Sequence, residues 1–362
     1  MRVADLVGAM EDIAPTRFAA PWDNVGLLVG DAESAMTRVL LTIDCTRAVL
    51  REARSARCEA IVSYHPPIFE AQKRFVAGSI AFEAARGGVA IFSPHTALDV
   101  AEGGTNDVLA DALGMTDRSA LRLAEAPDDP LKLVTFLPAE HVEAVSRALF
   151  AAGAGHIGKY SSCSFRAPGT GTFFGGEGTR PVVGEAGRPE EAAEVRLETV
   201  VPVRCVKAVV EALRASHPYE EPAFDLVHLA AAPHRHGFGR VGAVTPAPVE
   251  ALVERVKKAL GVERVLVAGP VHRKVSRAAV CAGSGTDLIS DAIAAGAGFF
   301  LTGELRHHDA IRAVEAGLAV VCTRHSTSER AALVALERRL SALLPGVTVT
   351  RSAEDRDPFA IV

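Results

Sequence analysis

Two apolar runs of the same shape, one in each half of the chain, end in the same chemical signature. Gly88-Val-Ala-Ile-Phe92 is followed by His95 and Asp99, and Gly317-Leu-Ala-Val-Val321 by His325 and Glu329. A short apolar run after a glycine reads as a buried strand. Residues four apart then share one face of a helical turn, so each pair could chelate a single cation. Alone, His95 and Asp99 fit local hydrogen bonding slightly better than metal binding; the repetition of type, spacing and position as His325 and Glu329 favours a metal. A third histidine, His65, closes another apolar run, Ala60-Ile-Val-Ser-Tyr64, and the Pro66-Pro67 corner that follows fixes it in place.

The surrounding pattern predicts strands at 39–43, 60–64 and 88–93, with helices over 47–56, 78–86 and 105–113. Asn106 is the expected cap of the last helix and Gly114 its end. The same order returns late: strand 275–281, a turn at 283–286, helix 287–295, strands 298–302 and 318–322, then helix 328–343. Apolar strands separated by helices argue for sheets covered on both faces. The expectation is two similar α/β lobes with largely parallel sheets, whose ligand sites lie at the carboxyl ends of the strands.

Between the lobes a strand-proline-helix pattern occurs twice, at Leu133–Pro138 and Glu198–Pro202. Proline at a helix start sacrifices no hydrogen bond. Further strands are expected at 162–166 and 223–229, which makes a ferredoxin-like βαββαβ unit. Gly169–Gly176 reads as a loop or hairpin tip, and Ala231–Arg240 as the return to the second lobe. The predicted domains are a first α/β lobe at 1–130, an inserted domain at 131–230 and a second α/β lobe at 231–362.

The charge balance narrows the partners. Forty-four acidic against 39 basic residues give −5, with no basic stripe for general nucleic-acid binding. No apolar stretch reaches membrane-spanning length, and Met1-Arg-Val-Ala-Asp5 lacks a secretory h-region. The six cysteines show no C-x-x-C pair and fit reduced thiols in a cytoplasmic protein.

Other segments hold chemistry with a structural alternative. Asp23 and Asn24 fit either ligand binding or an Asx turn. Gly283-Ser-Gly285 could cradle an anion but lacks the third glycine of a dinucleotide fingerprint. Thr302–Asp309 carries Glu304, His307, His308 and Asp309, of which at least one is expected to face the cleft. Ser216–Pro222 reads as a turn or a second binding surface. Histidine and carboxylate donors without cysteine suit zinc, iron or manganese.

Trp22-Asp-Asn-Val-Gly-Leu27, Leu41-Thr-Ile-Asp44, Ser63–Phe69, His95–Asp99, Gly104-Thr-Asn-Asp107, Gly239-Arg-Val-Gly242, Gly283–Thr286, Thr302-Gly-Glu304 and His325–Glu329 together resemble the Nif-three-like family, also called domain of unknown function 34. Its bacterial members carry the name GTP cyclohydrolase I type 2 homologue. The middle segment, with Gly153-Ala-Gly155, Gly158-Lys-Tyr160 and His217–Pro222, resembles the CutA-like insertion of the longer members. The resemblance implies a di-metal site between two lobes and a homohexameric toroid. Carried over residue by residue, it implies His65, Asp99, His325 and Glu329 as metal ligands. The family's other adjacent histidine is Tyr64 here, which leaves one or two metals per chain open.

These expectations describe a metal-dependent hydrolase in which activated water attacks a nucleotide or related small molecule. For the activity in the family's name, that means opening the imidazole ring of GTP with release of formate. The alternative is a non-enzymatic metal-handling or regulatory protein. The residues assign no separate catalytic group and no organic cofactor.

Overall fold

The apolar runs become strands because helices cover both sides of the sheets they build. In a computed structural model of the chain, residues 1–124, 130–229 and 235–361 are described. From the amino end come α1 (Val3–Ile13), β1 (Gly26–Val29), β2 (Arg38–Thr42), α2 (Arg47–Ser55), β3 (Ala60–Ser63), α3 (Ile80–Arg86), β4 (Ala90–Ser93), α4 (His95–Val100), α5 (Thr105–Ala112) and β5 (Thr116–Leu123). The middle of the chain supplies β6 (Leu131–Leu137), α6 (Val142–Ala151), β7 (Ser164–Phe174), β8 (Pro189–Val201), α7 (Val206–Ser216) and β9 (Phe224–His228). Then follow β10 (Gly237–Pro248), α8 (Val249–Leu260), β11 (Leu266–Ala268), β12 (Lys274–Ser284), α9 (Ile289–Ala294), β13 (Phe299–Glu304) and α10 (His307–Glu315). The last elements are β14 (Ala319–Cys322), α11 (His325–Arg330), α12 (Ala332–Leu343) and β15 (Thr348–Arg351). The result is a mixed α/β fold whose described strands form three sheets. It divides into two units, Met1–Glu125 with Arg235–Val362, and Ala126–His234.

In the first unit, one sheet has the order β1-β4-β3-β2-β15, parallel except for the edge strand β1. Side chains alternate across it, as the twofold strand period requires. Val39, Leu41, Val62 and Phe92 pack with α1 and α12, whereas Leu40, Ile61 and Ile91 pack with α2 and α3. The other sheet has the order β11-β14-β13-β12-β10-β5. Here the structure departs from the expected parallel arrangement. Only β12, β13 and β14 run parallel; β11, β10 and β5 are antiparallel to their neighbours.

Elements are also exchanged between the segments expected as lobes at 1–130 and 231–362. Leu109 and Ala110 of α5, with Leu113 just after it, pack with Val253, Val280 and Leu301 of the second sheet's core, and β5 pairs with β10. In return, Leu333, Leu336 and Leu340 of α12 join the first sheet's core, and β15 extends that sheet. Each half of the sequence thus completes the other half's sheet. Arg240, only 3% exposed, fastens the junction: its guanidinium donates to Asp107 at 3.0 and 3.1 Å and to the Ala101, Gly237 and Gly239 carbonyls.

Part of the expected return loop is strand: residues 237–240 open β10, while 231–234 lie outside the described residues. Gly237 and Gly239 belong there because no side chain fits between β10 and its neighbours. The middle unit has the sheet order β7-β8-β6-β9, antiparallel throughout, with α6 and α7 packed on Leu133, Leu137, Leu197 and Val201. Gly169–Phe174, read as loop, lies inside β7 and pairs along β8. The expected boundaries near 130 and 230 adjoin residues 125–129 and 230–234, which lie outside the described residues. No described helix is long and apolar enough to cross a membrane, and all six cysteines are unbridged.

Candidate metal centre

The first unit gathers histidines where parallel strands end. His65 follows β3, His95 opens the helix after β4, and His325 opens the helix after β14. The last two turns are sharp. His95 has φ of +27° and Arg324, just before His325, has φ of +79°. Such conformations cost about 1–3 kcal/mol in a non-glycine residue and need support from their surroundings.

Three of the four expected ligands converge. Donor atoms of His65, His325 and Glu329 all lie within 4.8 Å of one another. Glu329 stands between the histidines: Oε2 is 3.3 Å from His65 Nε2 and Oε1 is 3.2 Å from His325 Nε2. The outward nitrogens are held by carboxylates, with His65 Nδ1 donating to Asp44 at 2.9 Å and His325 Nδ1 to Glu304 at 3.1 Å. This fixes both rings with Nε2 inward, the usual way a ligating imidazole is oriented. Among the described residues, buried His65 Nε2 and Glu329 Oε2 have no hydrogen-bond partner. Two such atoms aimed at one point fit a cation placed between them.

The electrostatics favour positive charge there. Burial opposes ionisation of His65, but the hydrogen bond to Asp44 and the nearby Glu329 carboxylate outweigh it and raise the pKa to about 10. The hydrogen bond to Glu329 raises His325 to about 9. Burial pushes Glu329 up, yet the two histidines hold its carboxyl below the ordinary value. Space is equally constrained: a Cβ on Gly283, whose φ is +62°, would lie 2.9 Å from Glu329 Oε1. Gly283 therefore backs the histidine-carboxylate group. The Gly283 amide donates to Ser328 Oγ at 2.8 Å, so it does not serve the anion cradle considered from sequence.

Asp99 falls outside the group of three. Its Oδ1 accepts a short hydrogen bond from the buried Tyr64 hydroxyl, which also contacts Thr105 at 3.2 Å. Burial, with the nearby Glu329 charge, raises Asp99 to about 6. His95 donates from Nδ1 to Asp23 at 2.8 Å, and its ring lies 5.4 Å from that of His65. Asn106 does not cap α5. It is buried, donating to the Asp99 carbonyl at 2.9 Å and accepting from the Ala282 amide at 2.9 Å. Beside His95 stand Trp22 and Phe69, 63% and 53% exposed, their rings 6.0 and 6.5 Å from the imidazole.

The pairing of Asp44 with His65 had no signal in the sequence beyond a polar residue ending β2. Asp23 had one in its Trp-Asp-Asn setting, and Glu304 in its strand-end position. His307 and His308 face each other and are exposed; the structure gives neither a contact with the three converging residues.

This centre lies in a fold with clear relatives. The chain belongs to the family described as Duf34/NIF3 (NGG1p interacting factor 3), which it matches over residues 1–358. It is 36% identical to a Bacillus subtilis protein named GTP cyclohydrolase 1 type 2 homolog, covering 99% of this chain and 98% of that one. A Mycobacterium leprae protein of the same name is 38% identical over 91% of this chain and 87% of its own. Among solved structures, a Bacillus cereus protein related to NIF3 is 33% identical with a TM-score of 0.67, covering 100% and 99% of the two chains. Staphylococcus aureus protein SA1388 is 26% identical with a TM-score of 0.76 and the same coverage.

Proposed function

We propose that the protein is a metal-dependent hydrolase acting on a nucleotide or related small molecule. His65, His325 and Glu329 would hold a divalent zinc, iron or manganese ion, with Asp99 as a further ligand and one or two ions per chain. The observation that carries this reading is the pair of buried, unpartnered atoms His65 Nε2 and Glu329 Oε2, facing each other beside His325. A bound ion would supply Lewis acidity and a nucleophile at neutral pH. The chain supplies the rest. Asp44 and Glu304 aim the imidazoles, and Tyr64 steadies Asp99. Three converging donors leave coordination open, as catalytic sites do and closed structural sites do not. Exposed Trp22 and Phe69 offer flat apolar surface for an organic substrate beside His95.

The name shared by the relatives favours GTP among substrates. By the same kinship we propose a cytoplasmic homohexameric toroid. We read the two sheets of the first unit as two related α/β lobes. The strand order β7-β8-β6-β9 supports a ferredoxin-like insertion.

The test is to load metal-free protein with zinc, manganese or iron(II) under argon and offer GTP, other nucleotides and phosphoesters. Hydrolysis by the wild type and its loss in Glu329→Gln is the expected result. Tight metal binding without turnover of any substrate would replace this reading with metal handling.

A further inference from the structure

The middle unit contains a cavity of about 640 Å³, built by that unit alone. It lies on the face of the four-stranded sheet away from α6 and α7. Phe136, Arg196 and Ala167 share one cross-strand row, and the neighbouring Leu137, Val195 and Leu197 point instead to the helices. The connection between β7 and β8 closes one side and is pinned, since the Arg180 amide donates to Glu220 Oε1 at 3.0 Å. The segment joining α7 to β9 closes another side through Tyr219. A volume of this size matches the clefts that hold drug-sized ligands.

Three kinds of group meet in it. Phe136, Phe173 and Tyr219 provide aromatic surface, and the Arg196 guanidinium lies 5.8 Å from the Phe136 ring centre. Glu194 provides an oriented acceptor. Its Oε1 accepts from the Tyr219 hydroxyl at 2.7 Å, while Oε2 makes no hydrogen bond among the described residues. That carboxylate lies across Gly171, where a Cβ would approach Oε2 to 2.1 Å, so the glycine opens the place the carboxylate occupies. Arg180 and Arg196 provide cationic heads; of the Arg196 nitrogens, Nε is engaged by Glu198 at 2.6 Å.

We propose that this cavity is a second binding site, for a planar heteroaromatic molecule of nucleotide size bearing an anionic substituent. The ring stacks on the aromatic wall, its N–H edge donates to Glu194, and the anionic group meets the two arginines. Stacking, a fixed carboxylate acceptor and guanidinium forks are the three contacts such a molecule uses. An apolar metabolite would leave the carboxylate and arginines unmatched, and a free anion would leave the aromatic wall unused.

The test uses the full chain carrying Glu329→Gln, so that failure of the metal reading cannot be mistaken for failure here. GTP, ATP and inorganic triphosphate are titrated by calorimetry. At least one nucleotide should bind, triphosphate should bind more weakly, and Glu194→Gln and Arg196→Met should each weaken the nucleotide about tenfold or more. Photolabelling with an 8-azidopurine nucleotide gives a readout independent of those variants. Label on the peptide spanning 164–188 or 217–223 supports the site. No nucleotide binding, binding unchanged by both variants, or label confined to the peptides of His65 and His95 would overturn it.

Discussion

His65 Nε2 and Glu329 Oε2 face each other at 3.3 Å, each buried and without a hydrogen bond among the described residues. One belongs to the end of the first sheet and the other to the helix after β14. An unmet buried polar group costs about 1–3 kcal/mol, more when charged. A cation between them removes that cost, so metal should stabilise the folded chain. At one hundred times Kd the gain is about 2.7 kcal/mol. Thermal denaturation with and without zinc or manganese should show it, and Glu329→Gln should abolish the difference. Equal melting temperatures in metal and chelator would count against the site.

Asp44 acts on this centre through His65. Asp44→Asn keeps the shape but lets the amide meet Nδ1 as either donor or acceptor, so the ring loses its fixed tautomer. Loss of such a partner typically weakens metal binding about 10–100-fold. Competition with a fluorescent chelator should give that weakening while circular dichroism stays unchanged. Full affinity in the variant would remove Asp44 from the site.

Metal uptake should displace protons. In the metal-free chain, folding raises His65 to about 10 and His325 to about 9, from 6.5. Raised values stabilise the folded state fully below about pH 6.5 and lose that contribution as pH climbs through 9 to 10. Ligation requires neutral imidazoles, so the ion competes with those protons. Affinity should therefore rise with pH across this window. Calorimetry at pH 7.5 in buffers of different ionisation heat should detect released protons, up to about two. Affinity independent of pH would contradict the ligand assignment.

Tyr64 precedes His65 at the end of β3, and its buried hydroxyl is committed to Asp99 and Thr105. Burial, with the Asp99 and Glu329 charges, raises its pKa well above the ordinary phenol value, which disfavours a tyrosinate ligand. One tight metal per chain is expected. Tyr64→His should raise the stoichiometry towards two, measured by elemental analysis after gel filtration. Two equally tight ions in the unaltered protein would refute this.

Arg240 joins β10 to Asp107 on α5 and to carbonyls at both sheets' junction. Removing one partner of a buried pair strands the other, typically at about 3–5 kcal/mol. Arg240→Ala should lower stability on that scale in urea unfolding. Arg240→Lys should recover only part of it, since an ammonium lacks the two-pronged fork. A change below about 1 kcal/mol would show the clamp to be dispensable.

The strands that were legible were those buried on both faces, such as Ala60–Ser63 and Ala319–Cys322. Their apolar runs have no other use. Strand β5 was missed because Thr116–Leu123 has few deeply buried side chains, and β10 because its glycines imitate a turn. The convergence of His65, His325 and Glu329 was foreshadowed by strand-end position and repeated spacing. Their supporting pairs were hidden, since nothing local links Asp44 to His65 or Glu304 to His325. Asp99 shared the helical spacing, yet its outcome was decided by Tyr64, far away in sequence.

The exchange of α12 and β15 for α5 and β5 has a consequence for biosynthesis. A nascent chain exposes the edge of β2 until Thr348–Arg351 emerges to pair with it. Exposed strand edges invite association with other chains. More than three hundred residues thus separate β2 from the strand that seals its sheet, and His65 waits nearly as long for Glu329. Protection of that edge during translation, by a chaperone or by slow hydrophobic collapse, should govern the yield of this protein in cells more than its final stability does.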